Sequence, residues 1–172
     1  SAAECRIACW LEMEKLYFEG RIRAIGVSNF TVAHLEHLIS DPRTTVMPHV
    51  NQIEVHPLFP QKKLREWCAA QNIVVMAYAS LGQGREELLE HKEVLRAAKI
   101  IGCTPAQALL AWGLSKGMAV IPKSGSGEAR LSENMAARGW VPKSVGHEHE
   151  QEETYSAFKS GMLILDGIVA VG

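Results

Sequence analysis

Alternation is the feature that most constrains this chain: helical patterns and short apolar runs trade places along it. Ala3 to Phe18 carries Ile7, Trp10, Leu11, Leu16 and Tyr17 at helical spacing, and Gly20 stops that helix. Ala24 to Ser28 reads as a buried strand. Thr31 is an N-cap for a helix over Val32 to Ser40, with Leu35, Leu38 and Ile39 as its apolar stripe. Val50 to His56 alternates like a strand, which Pro57 and Pro60 end. Gln61 to Gln71 is a helix with Leu64, Trp67 and Cys68 turned inward. Ile73 to Ala79 is a third strand, apolar nearly throughout, as parallel strands covered on both faces are. Glu86 to Ile101 is helical with a break near His91. Thr104-Pro105 caps and opens a helix to Ser115. Met118 to Ile121 is a fourth strand, and Arg130 to Ala137 a short helix. After Ala137 the pattern weakens: Gly139 to Gly146 is loop-like, a helix runs through Glu153 to Lys159, and Met162 to Val171 reads as a strand.

Strand and helix in turn, four times over, imply a parallel α/β architecture. Four such strands make a small doubly wound sheet or half of an eight-stranded barrel. Periodicity does not choose between them.

Composition excludes several classes of function. The 172 residues suffice for one core, and 47% hydrophobic content with a net charge of -1 fits a globular chain. That charge gives no bulk attraction to nucleic acid or membrane. No apolar run reaches spanning length, and Glu4, Arg6, Glu12 and Glu14 interrupt any signal-peptide core. Cys5, Cys9, Cys68 and Cys103 lack zinc spacing and read as reduced, small hydrophobes of a cytoplasmic protein. The opening Ser1 falls within the first helical pattern, as a cut would leave it.

Polar and aromatic groups gather where each strand ends. Ser28-Asn29 follow the first, Gln52, Glu54 and His56 lie along the second, Tyr78 and Ser80 close the third, and Lys123-Ser124 follow the fourth. Ligands of α/β folds bind at the carboxyl ends of strands. Asn29 and Gln52 each offer a donor and an acceptor, the pair a carboxamide needs. Tyr78 offers a flat face for stacking. Lys123, Ser124 and Arg130 suit a phosphate. Carboxamide, flat ring and extra phosphate together describe NADP(H). No GxGxxG joins a strand to a helix, which disfavours a Rossmann site.

The same residues carry a family resemblance. Ile25-Gly26-Val27-Ser28-Asn29-Phe30, Asn51-Gln52-Ile53-Glu54-Val55-His56-Pro57, Ala77-Tyr78-Ala79-Ser80-Leu81-Gly82-Gln83-Gly84, Thr104-Pro105-Ala106-Gln107 with Trp112, and Ile121-Pro122-Lys123-Ser124 with Arg130, Glu133 and Asn134 resemble, in order, five motifs of the aldo-keto reductases. The resemblance implies a (β/α)8 TIM-barrel family fold of which this chain is the C-terminal half, strands five to eight, over residues 1–137, with a divergent tail over 138–172. It implies that Ser28, Asn29 and Gln52 hold the nicotinamide carboxamide and that Tyr78 stacks on its ring. The backbone at Leu81 and Gln83 would meet the pyrophosphate. Lys123, Ser124 and Arg130 would take the 2'-phosphate, and Glu133 and Asn134 would face the adenine. The implied reaction is NADPH-dependent reduction of a small aldehyde or ketone.

Two departures follow from the same comparison. Arg130 stands seven positions after Lys123 where the family has six. The family's catalytic Asp, Tyr, Lys and His come from its first four strands, so no catalytic residue is assigned here. The alternative function is a non-catalytic half-barrel or interaction module, whose open sheet edges favour self-association. His56 before Pro57 reads as structural rather than as a base. His34, His37, His91, His147 and His149 read as exposed helix or tail residues. The run His147 to Glu150 lacks the supporting shell a metal site needs, so no metal is assigned.

Overall fold

A computed structural model describes residues 1–84, 86–125, 127–141 and 149–166. Its helices are α1 (Ala2–Phe18), α2 (Val32–Ser40), α3 (Lys62–Ala70), α4 (Glu86–Leu89), α5 (Lys92–Ile101), α6 (Pro105–Ser115), α7 (Glu128–Ala136) and α8 (His149–Asp166). The strands are β1 (Gly26–Ser28), β2 (Val50–Glu54), β3 (Val74–Tyr78) and β4 (Ala119–Val120). They lie side by side in chain order, β1-β2-β3-β4. A doubly wound sheet reverses its strand order at a switch point; an arc of a (β/α) barrel does not. The alternative left open by periodicity is therefore decided for an α/β fold matching part of such a barrel.

The chain divides into two compact units, Ser1–Ile53 with Gln61–Met76, and Glu54–Pro60 with Ala77–Gly172. In the first, β1 and β2 run parallel with Gly26 opposite Val50. A Cβ on Gly26 would sit 2.6 Å from the Val50 carbonyl oxygen, so this pairing needs glycine. Ile7 and Trp10 of α1 pack with Ile25 and Leu38, and Met13, Val27 and Phe30 close around them. Glu14 is buried within this unit. One of its oxygens accepts from Trp10 Nε1 at 3.0 Å and from the backbone N–H of Thr45 and Val46 at 2.8 and 2.7 Å. The other accepts from Thr45 Oγ1 at 3.2 Å. The carboxylate thus satisfies the loop that carries the chain into β2. Outside, Arg43 clasps Glu4 and Asp41, both at 2.8 Å. Its guanidinium lowers the Glu4 pKa and holds that of Asp41 down to about 2.

In the second unit α6 is buried on nearly all sides, from Ala108 to Gly113. α5 packs beside it and buries Val94, Ala97, Ala98 and Ile101. α8 lies on α5, and Gly161 lets it come close: a Cβ there would stand 2.6 Å from the Ile101 side chain. Asp166 then anchors α8, accepting from Trp112 Nε1 at 2.9 Å and from Lys116 Nζ at 2.6 Å.

From α1 to α7 the helical boundaries agree with the sequence pattern to within about two residues, the usual spread for helix ends, whereas α8 (His149–Asp166) extends well beyond the expected Glu153 to Lys159. The break near His91 falls where expected, with His91 capping α5 through Glu93 N–H at 3.3 Å. Several expectations need correction. Met162 to Asp166 is helical, not extended: Met162 and Leu165 turn into the core at helical spacing, and residues 167–171 lie outside the described set. β3 is fully buried on one face only: Val75 and Ala77 are buried, while on the other face Met76 and Tyr78 are half-buried and Val74 is 48% exposed. Trp67 is half-buried rather than core. Cys5 and Cys9 are free and exposed, whereas Cys68 is buried. His34 does not simply face solvent: it completes a capping box, accepting from Thr31 N–H while its own N–H donates to Thr31 Oγ1. Ser1 caps α1 by accepting from Glu4 N–H at 3.3 Å, rather than lying inside the helix.

Among the described residues no helix is long and apolar enough to cross a membrane.

Candidate functional site

The candidate residues fall into two sets, one on each unit. In the first unit, Ser28 ends β1 and Asn29 follows it in the left-handed region at φ 58°. Asparagine tolerates that conformation better than most residues. Asn29 N–H donates to the Gln52 carbonyl at 2.9 Å, and Ser28 Oγ donates to the same oxygen at 3.0 Å. Gln52, half-buried on β2, sets its amide nitrogen 3.2 Å from Met76 Sδ. Ser28, Asn29 and Gln52 therefore meet at one strand end, as the sequence predicts.

The sequence reading did not single out what holds them there. Asn51 is fully buried, and its side chain grips the turn after Asn29. Its Nδ2 donates to the Phe30 carbonyl at 2.9 Å, while its Oδ1 accepts from Phe30 N–H at 3.4 Å. This amide acts as an extra rung, locking the left-handed turn that presents Asn29. Its place beside Gln52 in the second motif is the signal that would have found it.

In the second unit, Tyr78 ends β3 half-buried, its carbonyl accepting from Val55 N–H at 3.3 Å. The following loop is bent by three left-handed residues: Ala79 at φ 52°, Gly82 at 65° and Gln83 at 57°. Two of these are not glycine, and such strain gathers at ligand-binding loops. Ser80 is buried and secures the turn by donating to the Ala77 carbonyl at 3.2 Å. Left-handed turns of this kind bring successive backbone N–H groups together as a seat for an anion. Leu81 is half-buried and Gln83 exposed.

Past β4, Lys123 is exposed, while Ser124 Oγ is buried without a hydrogen-bond partner among the described residues. An orphaned buried hydroxyl costs about 1–3 kcal/mol, so a ligand oxygen here would be welcome. Arg130, Glu133 and Asn134 ride on α7, a helix with no buried residue. Gln107 pins it: its Nε2 donates to the Glu133 carbonyl at 3.2 Å. The same side chain completes the cap of α6, its Oε1 accepting from Thr104 N–H at 3.2 Å. The Thr104-Pro105-Ala106-Gln107 motif therefore starts one helix and tethers the next, a role that capping alone did not reveal. The extra residue between Lys123 and Arg130 falls in a stretch that includes Ser126, outside the described residues; Gly127, at φ 88°, leads into α7.

His56, read from the sequence as structural, pairs with Phe59 in an isolated bridge; its Nε2 lies 3.2 Å from Glu54 Oε1, and its Nδ1 is buried without a hydrogen-bond partner among the described residues. Among the described residues no group of three or more His, Cys, Asp or Glu is placed to hold a metal; His147 and Glu148 are not among them.

The model of the Aldo/keto reductase family matches residues 6–144. The glyoxal reductase of Bacillus subtilis is 45% identical over 125 residues, 73% of this chain and 44% of that protein. The 9,11-endoperoxide prostaglandin H2 reductase of Trypanosoma cruzi is 43% identical over 126 residues, again 73% of this chain and 44% of the relative. A solved structure of a Gox0644 mutant in complex with NADPH superposes with a TM-score of 0.78 at 33% identity, covering 95% of this chain and 53% of that one. The chain thus spans less than half the length of these curated relatives.

Proposed function

The chain belongs to the aldo/keto reductase family, and from that premise we propose that it carries the NADP(H)-binding half of a carbonyl reductase. The observation that carries this reading is Ser124, a buried hydroxyl lacking a partner among the described residues, next to the exposed cation of Lys123. That pair suits the 2'-phosphate that distinguishes NADPH from NADH, with Arg130 as the second cation. Tyr78 supplies a stacking face, and the left-handed loop at Leu81 and Gln83 supplies N–H donors for a pyrophosphate. Ser28, Asn29 and Gln52 suit a carboxamide, because each amide side chain matches it with one donor and one acceptor. Glu133 and Asn134 offer acceptors toward the adenine.

The bound cofactor would supply a hydride to the carbonyl carbon of a small aldehyde or ketone, while a proton goes to the oxygen. This chain's part is to bind and orient. No residue in it is assigned as proton donor: Tyr78 is committed to stacking, and Tyr17 packs against His49. Four free cysteines fit the cytoplasmic setting proposed here.

The chain alone should therefore show no aldehyde-dependent NADPH oxidation. Following absorbance at the reduced-nicotinamide band with glyoxal-type substrates checks this. Steady turnover by the purified chain would contradict it.

A further inference from the structure

Along one face of α1 stand Cys5, Cys9 and Met13, each four residues from the next. All three line one groove of about 340 Å³ within the first unit. Both thiols are free and exposed, while Met13 is half-buried and packs against the core of Ile7, Trp10, Ile25 and Leu38. Residues four apart on a helix lie one above the other, with Cβ atoms about 5–6 Å apart. Two sulfurs bound to one metal ion at about 2.3 Å each stand no more than about 4.6 Å apart. Rotation about χ1 of two exposed cysteines covers that difference without moving the backbone. The thioether of Met13 lies one turn further on, at the half-buried end of the stripe.

The rest of the lining selects the kind of ion. Trp10, Val27 and Phe30 are apolar, and among the described residues no carboxylate or imidazole lines the groove. Arg6 also lines it and brings a positive charge, its guanidinium 5.9 Å from the centre of the Phe30 ring. Two thiolates around a monovalent ion carry one net negative charge, which that guanidinium offsets. Thiolate and thioether donors are soft and favour Cu(I). A structural Zn(II) holds four ligands, more than this stripe supplies. We propose that Cys5, Cys9 and Met13 form a binding site for a soft monovalent cation, Cu(I), on α1. Each thiol gives its proton to solvent as its sulfur–copper bond forms, and no atom changes oxidation state. The cysteine spacing that argues against zinc does not bear on an ion satisfied by two thiolates and a thioether. None of the three donors is a residue proposed for NADP(H), so the two claims stand or fall separately.

Anaerobic titration of the 172-residue chain with Cu(I), in competition with bicinchoninate, tests the site. One Cu(I) per chain is expected, with native mass spectrometry showing a monomeric complex. One equivalent of Cu(I) should slow maleimide labelling of the unaltered chain by about tenfold or more at Cys5 and Cys9, because the metal occupies the nucleophilic thiolates. Labelling of Cys103 should not change. Cys5→Ser and Cys9→Ser should each lose protection of the remaining thiol, with circular dichroism unchanged because both side chains are exposed. Met13→Leu should weaken Cu(I) binding by about tenfold, since it replaces a soft donor with a hydrocarbon. Five outcomes would overturn the proposal: a folded chain that binds no Cu(I), an ion shared between two chains, Cu(I) bound with Cys5 and Cys9 still labelled as before, a Met13→Leu chain that binds as tightly, or Zn(II) displacing Cu(I) at equal concentration. The labelling reads the unaltered chain, so it decides the matter even where a variant fails to fold.

Discussion

The two units present their candidate residues by opposite means. In the first, a buried amide does the holding: Asn51, with no exposed surface, bonds both backbone groups of Phe30 and so fixes Asn29. In the second, Arg130, Glu133 and Asn134 sit on a helix with no buried residue, to which the Gln107 side chain donates a hydrogen bond. Leu131 and Met135 on that helix are 55% and 72% exposed. Under the proposed function, the nicotinamide end of a dinucleotide would meet a pre-formed cradle, and the phosphate end would be gripped by charge.

Disturbing the first unit should therefore damage the fold, whereas disturbing the second should damage ligand preference. The largest effect is expected from Glu14→Ala. It leaves Trp10 Nε1 and the N–H groups of Thr45 and Val46 without partners, and several orphaned buried donors at about 1–3 kcal/mol each exceed much of a small domain's stability. Urea unfolding should show a large fall in midpoint or no cooperative transition; an unchanged midpoint would show that water serves those groups equally well. Next in size is Lys123→Met. NADPH affinity should fall at least tenfold, while NADH affinity and the melting temperature hold steady. Equal losses for both nucleotides would mean the lysine does not read the 2'-phosphate.

The smallest effect concerns the exposed clasp of Glu4, Arg43 and Asp41. The folded pKa of Asp41 lies below its ordinary value, at about 2, so the carboxylate favours folding wherever the unfolded chain is already ionised. That contribution is present above about pH 4 and is lost as the pH falls toward 2. Removing the guanidinium with Arg43→Ala should flatten this part of the acid-unfolding profile and barely alter stability at pH 7, because exposed ion pairs contribute little. An identical acid profile in the variant would show that the clasp does not persist in solution.

Much of this was legible in the sequence because the relevant signals are local. Thr31 and Thr104 announce their helices by capping chemistry, and both caps form. The positions of Ser28, Asn29, Gln52, Tyr78, Lys123 and Ser124 follow from strands that end where apolar runs end. What escaped notice acts across the chain. Glu14 entered the sequence reading only as a charge within an apolar stretch, whereas the loop at Thr45, 31 residues away, folds over it. Asn51 reads as the neighbour of a ligand-facing glutamine, not as the clamp itself. The tail misled for a related reason. Met162 to Val171 is apolar and β-branched enough to suggest a strand, but Gly161 admits a close helix contact at Ile101, and Asp166 finds Trp112 and Lys116. Tertiary packing outweighs propensity there.

The measurement that bears most directly on the central claim is a titration of the folded 172-residue chain with NADPH and NADH, followed by calorimetry. Saturable one-to-one binding of NADPH, at least tenfold tighter than NADH, is the predicted result. A chain with native circular dichroism that binds neither nucleotide would contradict the account.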